Sequence, residues 1–331
     1  MRITKRIVPI FLLILFLASC ESRLQSGQPP QTNEGTVDFE IRNSEFGIRN
    51  EDDRDKDYEE DGDYEEDGDY EEDGDEWQIR VTDPMGAEIW SFTEAELSVL
   101  PAEQSGALVH SYSTINNWPS ARYYAADGYC VECILRIAGV LDNAQTVTFR
   151  SVDGYEVSLT REQLLSEQYF YPRVGESADD AETVLPVIAY RWREGTTDTN
   201  EIRDDDPSLI FGQRNPFEHT NPAFVEAVSE IVVDDAPCQT WEAASTFPLP
   251  GLIAAGETVK LQHPFYGLVK LHYTLDGSDP TPMSPMYNPS TYQPELNLPI
   301  PVTETTVIKV IATGYGKNDS EIAVFEFEPV P

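Results

Sequence analysis

Cys130-x-x-Cys133 is the most chemically suggestive spacing in this 331-residue chain. Two thiols three positions apart share one face of a helix, and a thiol at a helix start is held toward its thiolate form. That arrangement serves thiol exchange, a structural disulfide or half of a soft-metal site. No strand–helix–strand context of the thioredoxin kind surrounds it, and Ile134 stands where a haem-attachment motif needs histidine. Cys238 adds only a third thiol, short of a four-ligand zinc set. A second pair, Asp276 and Asp279, has the residue type for acid–base work. They flank Gly277, and carboxylates beside a tight turn more often bond their own backbone. No pattern of Ser, His and Asp, no phosphate loop and no His-Glu-x-x-His motif competes with these.

The fourth cysteine lies in a different setting. Arg2, Lys5 and Arg6 precede an apolar run from Ile7 to Ala18, which ends in Leu17-Ala18-Ser19-Cys20. Twelve apolar residues are too few for a stable spanning helix, which takes about 20, and the order basic, apolar, small describes a signal peptide. The ending resembles the lipobox of bacterial lipoproteins. That resemblance implies cleavage after residue 19, lipidation of Cys20, and an extracytoplasmic protein anchored to the membrane. Several acyl chains on one cysteine hold durably, where a single chain binds only marginally.

Residues 20–76 read as a linker. Asp57-Tyr-Glu-Glu-Asp-Gly62 recurs at 63–68 and 69–74, and residues 51–76 carry 18 acidic side chains against Arg54 and Lys56. The repeat lacks the ligand spacing of a calcium loop, so solvated disorder is the expectation. Such a coil spans roughly 40–45 Å. The chain as a whole has 22 basic and 60 acidic residues, a net charge of −38, which repels phosphate backbones and disfavours nucleic acid as a partner.

Beyond the linker, period-two runs mark strands at Trp77–Val81, Glu88–Phe92, Leu108–Ser113, Thr146–Arg150, Tyr155–Leu159, Val184–Trp192 and Ser208–Phe211. Asp153-Gly154 signals a hairpin. Thr93 with Glu96, and Thr160 with Gln163, match capping boxes that open short helices, and Tyr129–Gly139 reads as an amphipathic helix. The mixture predicts an α+β domain over 77–238.

The ordered segments Phe92-Thr-x-Ala-Glu-Leu, Ile115-Asn-Asn-Trp-Pro119, Tyr123-Tyr-Ala-Ala-Asp-Gly128, Thr148-Phe-Arg-Ser-x-Asp-Gly-Tyr155 and Phe211-Gly-Gln-Arg214 resemble the molybdopterin-binding domain of the sulfite-oxidase type. Asn221–Val225 followed by Val228–Val232 is similar to that domain's closing piece. The resemblance implies that fold, a molybdopterin cofactor and oxidoreductase chemistry with a redox partner. It places cofactor contacts at Asn116, Asn117, Arg122, Arg191, Gln213 and Arg214. Catalytic members supply a cysteine to molybdenum, whereas His110–Asn117 contains none, so the resemblance assigns no metal ligand.

Pro248, Pro250 and Gly251 mark a boundary, after which short alternating runs predict an immunoglobulin-like β-sandwich over 245–331. His272-Tyr-Thr-Leu-Asp-Gly-Ser-Asp-Pro-Thr281 with Ser284-Pro-Met-Tyr287 resembles the chitobiase/β-hexosaminidase C-terminal domain. That resemblance implies a module that accompanies surface proteins and carbohydrate enzymes. Two functions stand: a lipid-anchored oxidoreductase-like protein, or a non-catalytic surface protein that binds a ligand or carbohydrate.

Overall fold

The computed structural model describes residues 77–330. Cys20, the signal segment and the acidic repeats lie outside the described residues. Among those described, eighteen strands outweigh four short α-helices, so the α+β expectation gives way to a mostly β architecture. None of the described helices is long and apolar enough to cross a membrane.

The first sheet system uses β1 (Gln78–Thr82), β2 (Glu88–Thr93), α1 (Glu94–Ser98), α2 (Ala102–Ser105), β3 (Ala107–Ile115), β4 (Ala121–Cys130), α3 (Val131–Ile137), β5 (Thr146–Ser151), β6 (Glu156–Thr160), α4 (Arg161–Leu165), β7 (Gln168–Phe170), β8 (Glu182–Val184), β9 (Val187–Glu194), β10 (Arg203–Ile210) and β11 (Val228–Asp234). Five strands form a sheet in the order β2-β1-β11-β5-β6, and four form another in the order β10-β9-β4-β3. The β1–β11 pair is parallel. Ile79, Val81, Phe149, Leu159 and Ile231 on the first sheet, Ile188 and Leu209 on the second, and Ile134 and Leu135 of α3 bury together in one core.

Both capping boxes form: Thr93 accepts from the Glu96 amide and Thr160 from the Gln163 amide, each answered by the reciprocal side-chain bond. Asp153-Gly154 does turn β5 into β6. The helix expected at Tyr129–Gly139 is corrected to Val131–Ile137, because Tyr129 and Cys130 still pair with Ile188 and Val187 of β9. Gly128 makes that pairing close. A Cβ there would stand 2.1 Å from the Ile188 carbonyl oxygen, so only glycine lets the two backbones meet.

The second system contains β12 (Ser245–Phe247), β13 (Gly251–Ala254), β14 (Thr258–Gln262), β15 (Val269–Thr274), β16 (Ile300–Pro301), β17 (Thr306–Gly314) and β18 (Ala323–Val330). A three-stranded sheet, β12-β14-β16, and a four-stranded sheet, β13-β18-β17-β15, share one core. Val259 and Leu261 alternate inward from β14, opposite Leu271, Ile308, Val310 and Phe327. This is the expected C-terminal sandwich.

The two systems belong to one compact unit, and the seam between them is polar and specific. Gln163 Nε2 donates to the Gly314 carbonyl at 2.7 Å and the Lys317 carbonyl at 3.2 Å, while its Oε1 accepts from the Gly316 amide. Tyr315 meets Phe211 edge to face, and its hydroxyl donates to Glu218. Ser290 Oγ donates to the Asn117 carbonyl at 2.6 Å, beside an exposed stack of Trp118 on Tyr292.

Candidate binding cleft

An open cleft of about 460 Å³ lies where the β5–β6 hairpin, β10 and the segment before β11 converge. Tyr124, Tyr155, Trp192 and Phe224 contribute aromatic surface, while Asp205, Asp206 and Glu226 contribute carboxylates. Local chemistry fixes the rings. Asn221 Nδ2 donates to the Tyr124 hydroxyl at 2.9 Å, the Tyr155 hydroxyl donates to the Pro222 carbonyl at 2.6 Å, and Trp192 Nε1 donates to the Asp206 carbonyl at 3.1 Å. Tyr124 and Phe224 meet edge to face at 5.3 Å, and Trp192 sits 6.2 Å from Tyr124. Rings held this way are preorganised, so a ligand need not freeze them on arrival.

The carboxylates are arranged differently. Among the described residues no cation pairs with Asp205, Asp206 or Glu226, and all three are exposed. Although Glu226 is exposed as a whole residue, partial desolvation of its carboxyl in the cleft wall, reinforced by the charges of Asp205, Glu194 and Asp206, raises it above the usual carboxylate range. Burial likewise raises the Tyr124 phenol, helped by Glu194 and Glu226. The adjoining Ala227 has φ of +52°, a left-handed conformation that costs a non-glycine residue roughly 1–2 kcal/mol. The cleft wall therefore carries backbone strain, which the pattern of residue types did not announce.

Ring faces and free carboxylates have complementary uses. The C–H face of a sugar ring packs on an aromatic face, and a carboxylate accepts from neighbouring hydroxyls. Apolar walls with a few directed polar groups are the usual makeup of a small-ligand site.

The six residues placed by the molybdopterin resemblance have other occupations. Asn116 Oδ1 accepts from the Trp118 and Ser120 amides and so builds its own turn. Asn117 accepts from Lys270 across the seam. Arg122 pairs with Glu194, Arg191 with Asp127 and Glu94, and Arg214 with Glu218. Gln213 is fully buried, accepting from Ser113 and donating to the Glu218 carbonyl. Two of the three guanidiniums are raised above their ordinary value, Arg191 first by its bond to Asp127 and Arg214 first by the Glu218 charge. A pterin phosphate needs open cationic or amide donors. Here the three guanidiniums are paired with carboxylates, Gln213 is buried and bonded on both sides, and Asn116 and Asn117 are engaged as acceptors within the chain. They do not fit the cofactor in this arrangement, and no reaction step is derived through it.

In the sandwich, Asp276 Oδ1 accepts from the Ser278 amide and hydroxyl, bonds that lower its carboxyl, while Asp279 pairs with Lys309. Asp276 thus builds the turn, and Asp279 ties it to β17. A second recess of about 440 Å³, lined by His263, Tyr266, Tyr287 and Asn297 among others, opens in the sandwich.

Residues 248–324 match the family model of the chitobiase/β-hexosaminidase C-terminal domain. No curated protein matches the chain. Among solved structures, the glycoside hydrolase domain of Endo-D from Streptococcus pneumoniae R6 is similar at 13% identity and a TM-score of 0.19, over 67% of this chain and 33% of that one. The chain thus spans a third of that structure's length. What these comparisons establish is a C-terminal chitobiase/β-hexosaminidase-type module in an otherwise β-rich protein.

Proposed function

We propose that this protein binds saccharide outside the cytoplasm, held at the membrane by lipid on Cys20, with the aromatic and acidic cleft as its binding site. The observation that carries the reading is the cleft itself, where locked rings at Tyr155 and Trp192 stand beside three carboxylates that, among the described residues, no cation pairs with. The C-terminal module supports it, since its family is named for enzymes of carbohydrate breakdown. The sequence Leu17-Ala-Ser-Cys20 after a short apolar run supports export and anchoring. The acidic linker then acts as a spacer between membrane and folded part.

Calorimetric titration of the detergent-solubilised full chain with a panel of neutral, amino and acidic oligosaccharides tests the binding. Saturable heat with at least one class, recovered chemically unchanged, is the expected result. Absence of heat across the panel contradicts the reading. Mass spectrometry of the envelope-extracted protein, expected to find an acylated Cys20 at the N-terminus, tests the anchor separately.

A further inference from the structure

We propose that Cys130 and Cys133 are a modification site, closed into a disulfide by a dithiol–disulfide exchange oxidant as the chain is exported. The inference rests on the extracytoplasmic reading above, since such compartments favour disulfides. Cys130 ends β4, where its amide donates to the Gly106 carbonyl at 3.0 Å. It is also the N-cap of α3, with φ −57° and ψ 124°. The N-cap position stands one helical turn before Cys133.

Gly106 makes the space for the pair, which is not joined by a disulfide in this structure. A Cβ on Gly106 would stand 2.6 Å from Cys130 Cβ and 2.6 Å from Cys133 Sγ. Both side chains therefore crowd one point, with a left-handed glycine across from them. The Cys133 thiol bonds to Cys130 sulfur and, with the first-turn amides, brings the Cys130 thiol below its ordinary value in spite of burial. Cys238 is occupied elsewhere, against Thr146 and the Gln145 carbonyl. Among the described residues no third metal-ligating side chain joins the pair.

The chemistry balances with the oxidant supplying the electron sink. The Cys130 thiolate attacks the oxidant's disulfide, forming a mixed disulfide and releasing one oxidant thiol. The Cys133 thiolate then attacks Cys130 sulfur, forming the Cys130–Cys133 bond and releasing the second oxidant thiol. Two protein thiols are oxidised and one oxidant disulfide is reduced. Each cysteine is 1% exposed, so the exchange occurs before α3 packs, and the product is then shielded.

The test uses full-length protein in a cell that exports it, acid-quenched, fractionated and alkylated before and after reduction in denaturant. The expected result is an envelope-fraction peptide 123–136 that is two hydrogens lighter and takes no label until reduced. Deleting residues 2–19 keeps the chain in the cytoplasm and is expected to leave the same peptide fully labelled. In an exported Cys133→Ser variant, Cys130 is expected to label without prior reduction. Envelope protein with both thiols labelled overturns the disulfide and leaves export standing. Full-length protein recovered from the cytoplasm overturns export and the disulfide with it.

Discussion

Single side chains decide whether the cleft recognises anything. Trp192 and Tyr155 present ring faces while their polar atoms are bonded to the backbone at Asp206 and Pro222. Removing one such face costs a stacked ligand about 1.4 kcal/mol, or tenfold in affinity. Trp192→Ala is therefore expected to weaken saccharide binding about tenfold in a calorimetric titration, with the fold intact by circular dichroism. Unchanged affinity would remove Trp192 from the site. Glu226 can be tested through pH. Its carboxyl is raised by partial desolvation and by neighbouring carboxylates, so as pH falls it takes a proton earlier than an ordinary carboxylate does. Affinity for neutral saccharides should weaken first in that window, and Glu226→Gln should flatten the decline. At this scale the sequence was least informative. Asn116, Arg191 and Gln213 are suitable residue types, yet Asn116 builds its own turn, Arg191 donates to Asp127 far along the chain, and Gln213 accepts from the equally distant Ser113. The cleft carboxylates were invisible because an acidic surface residue looks the same whether or not a ring stands beside it.

Elements show why much of the architecture was readable. Thr160 and Gln163 sit at fixed spacing, Asp153-Gly154 forms a local turn, and β14 alternates polar and apolar residues. All of these are short-range signals. β4 was not readable, because Ala125 and Ala126 are both fully buried and no alternation survives when both faces of a strand are covered. Gly128 holds the key contact in that strand. Gly128→Ala forces a methyl into the Ile188 carbonyl and is expected to destabilise by about 4 kcal/mol or more, or to prevent folding. Full stability by denaturant titration would disprove the close approach. Gln163 serves two elements at once, closing the α4 capping box and bonding Gly314, Gly316 and Lys317 across the seam. Leaving those buried groups unsatisfied costs about 1–3 kcal/mol. Gln163→Ala should lose that much and lower the unfolding of both sheet systems together.

The whole molecule responds to pH through its buried aromatic and basic groups. Burial raises the phenols of Tyr112, Tyr124, Tyr171 and Tyr315 well above 10, and that of Tyr169 to about 12. A group whose folded pKa is raised contributes stability that is complete below its unfolded value and lost as pH climbs toward the folded one. Stability should therefore fall steeply above pH 10, with the tyrosinate absorbance of these buried phenols appearing only as the chain unfolds. These buried phenols titrating near pH 10 while the chain is still folded would contradict this. Lys270 acts in the opposite sense. Burial lowers its ammonium to about 8, so the native chain sheds a proton that the unfolded chain keeps, and stability from this group rises between pH 8 and about 10.5. The polar seam that holds Lys270 ties the fate of the two sheet systems together. Its partners come from segments far apart in the chain, so periodicity, a short-range signal, carries no trace of the seam between 77–238 and 245–331.

The most direct test is hydrogen exchange of the full-length protein with and without a saturating saccharide. Binding in the cleft predicts slowed exchange confined to 151–155, 205–210 and 221–227. Protection confined to the recess around 260–266 and 294–299, or no protection anywhere, would contradict the account.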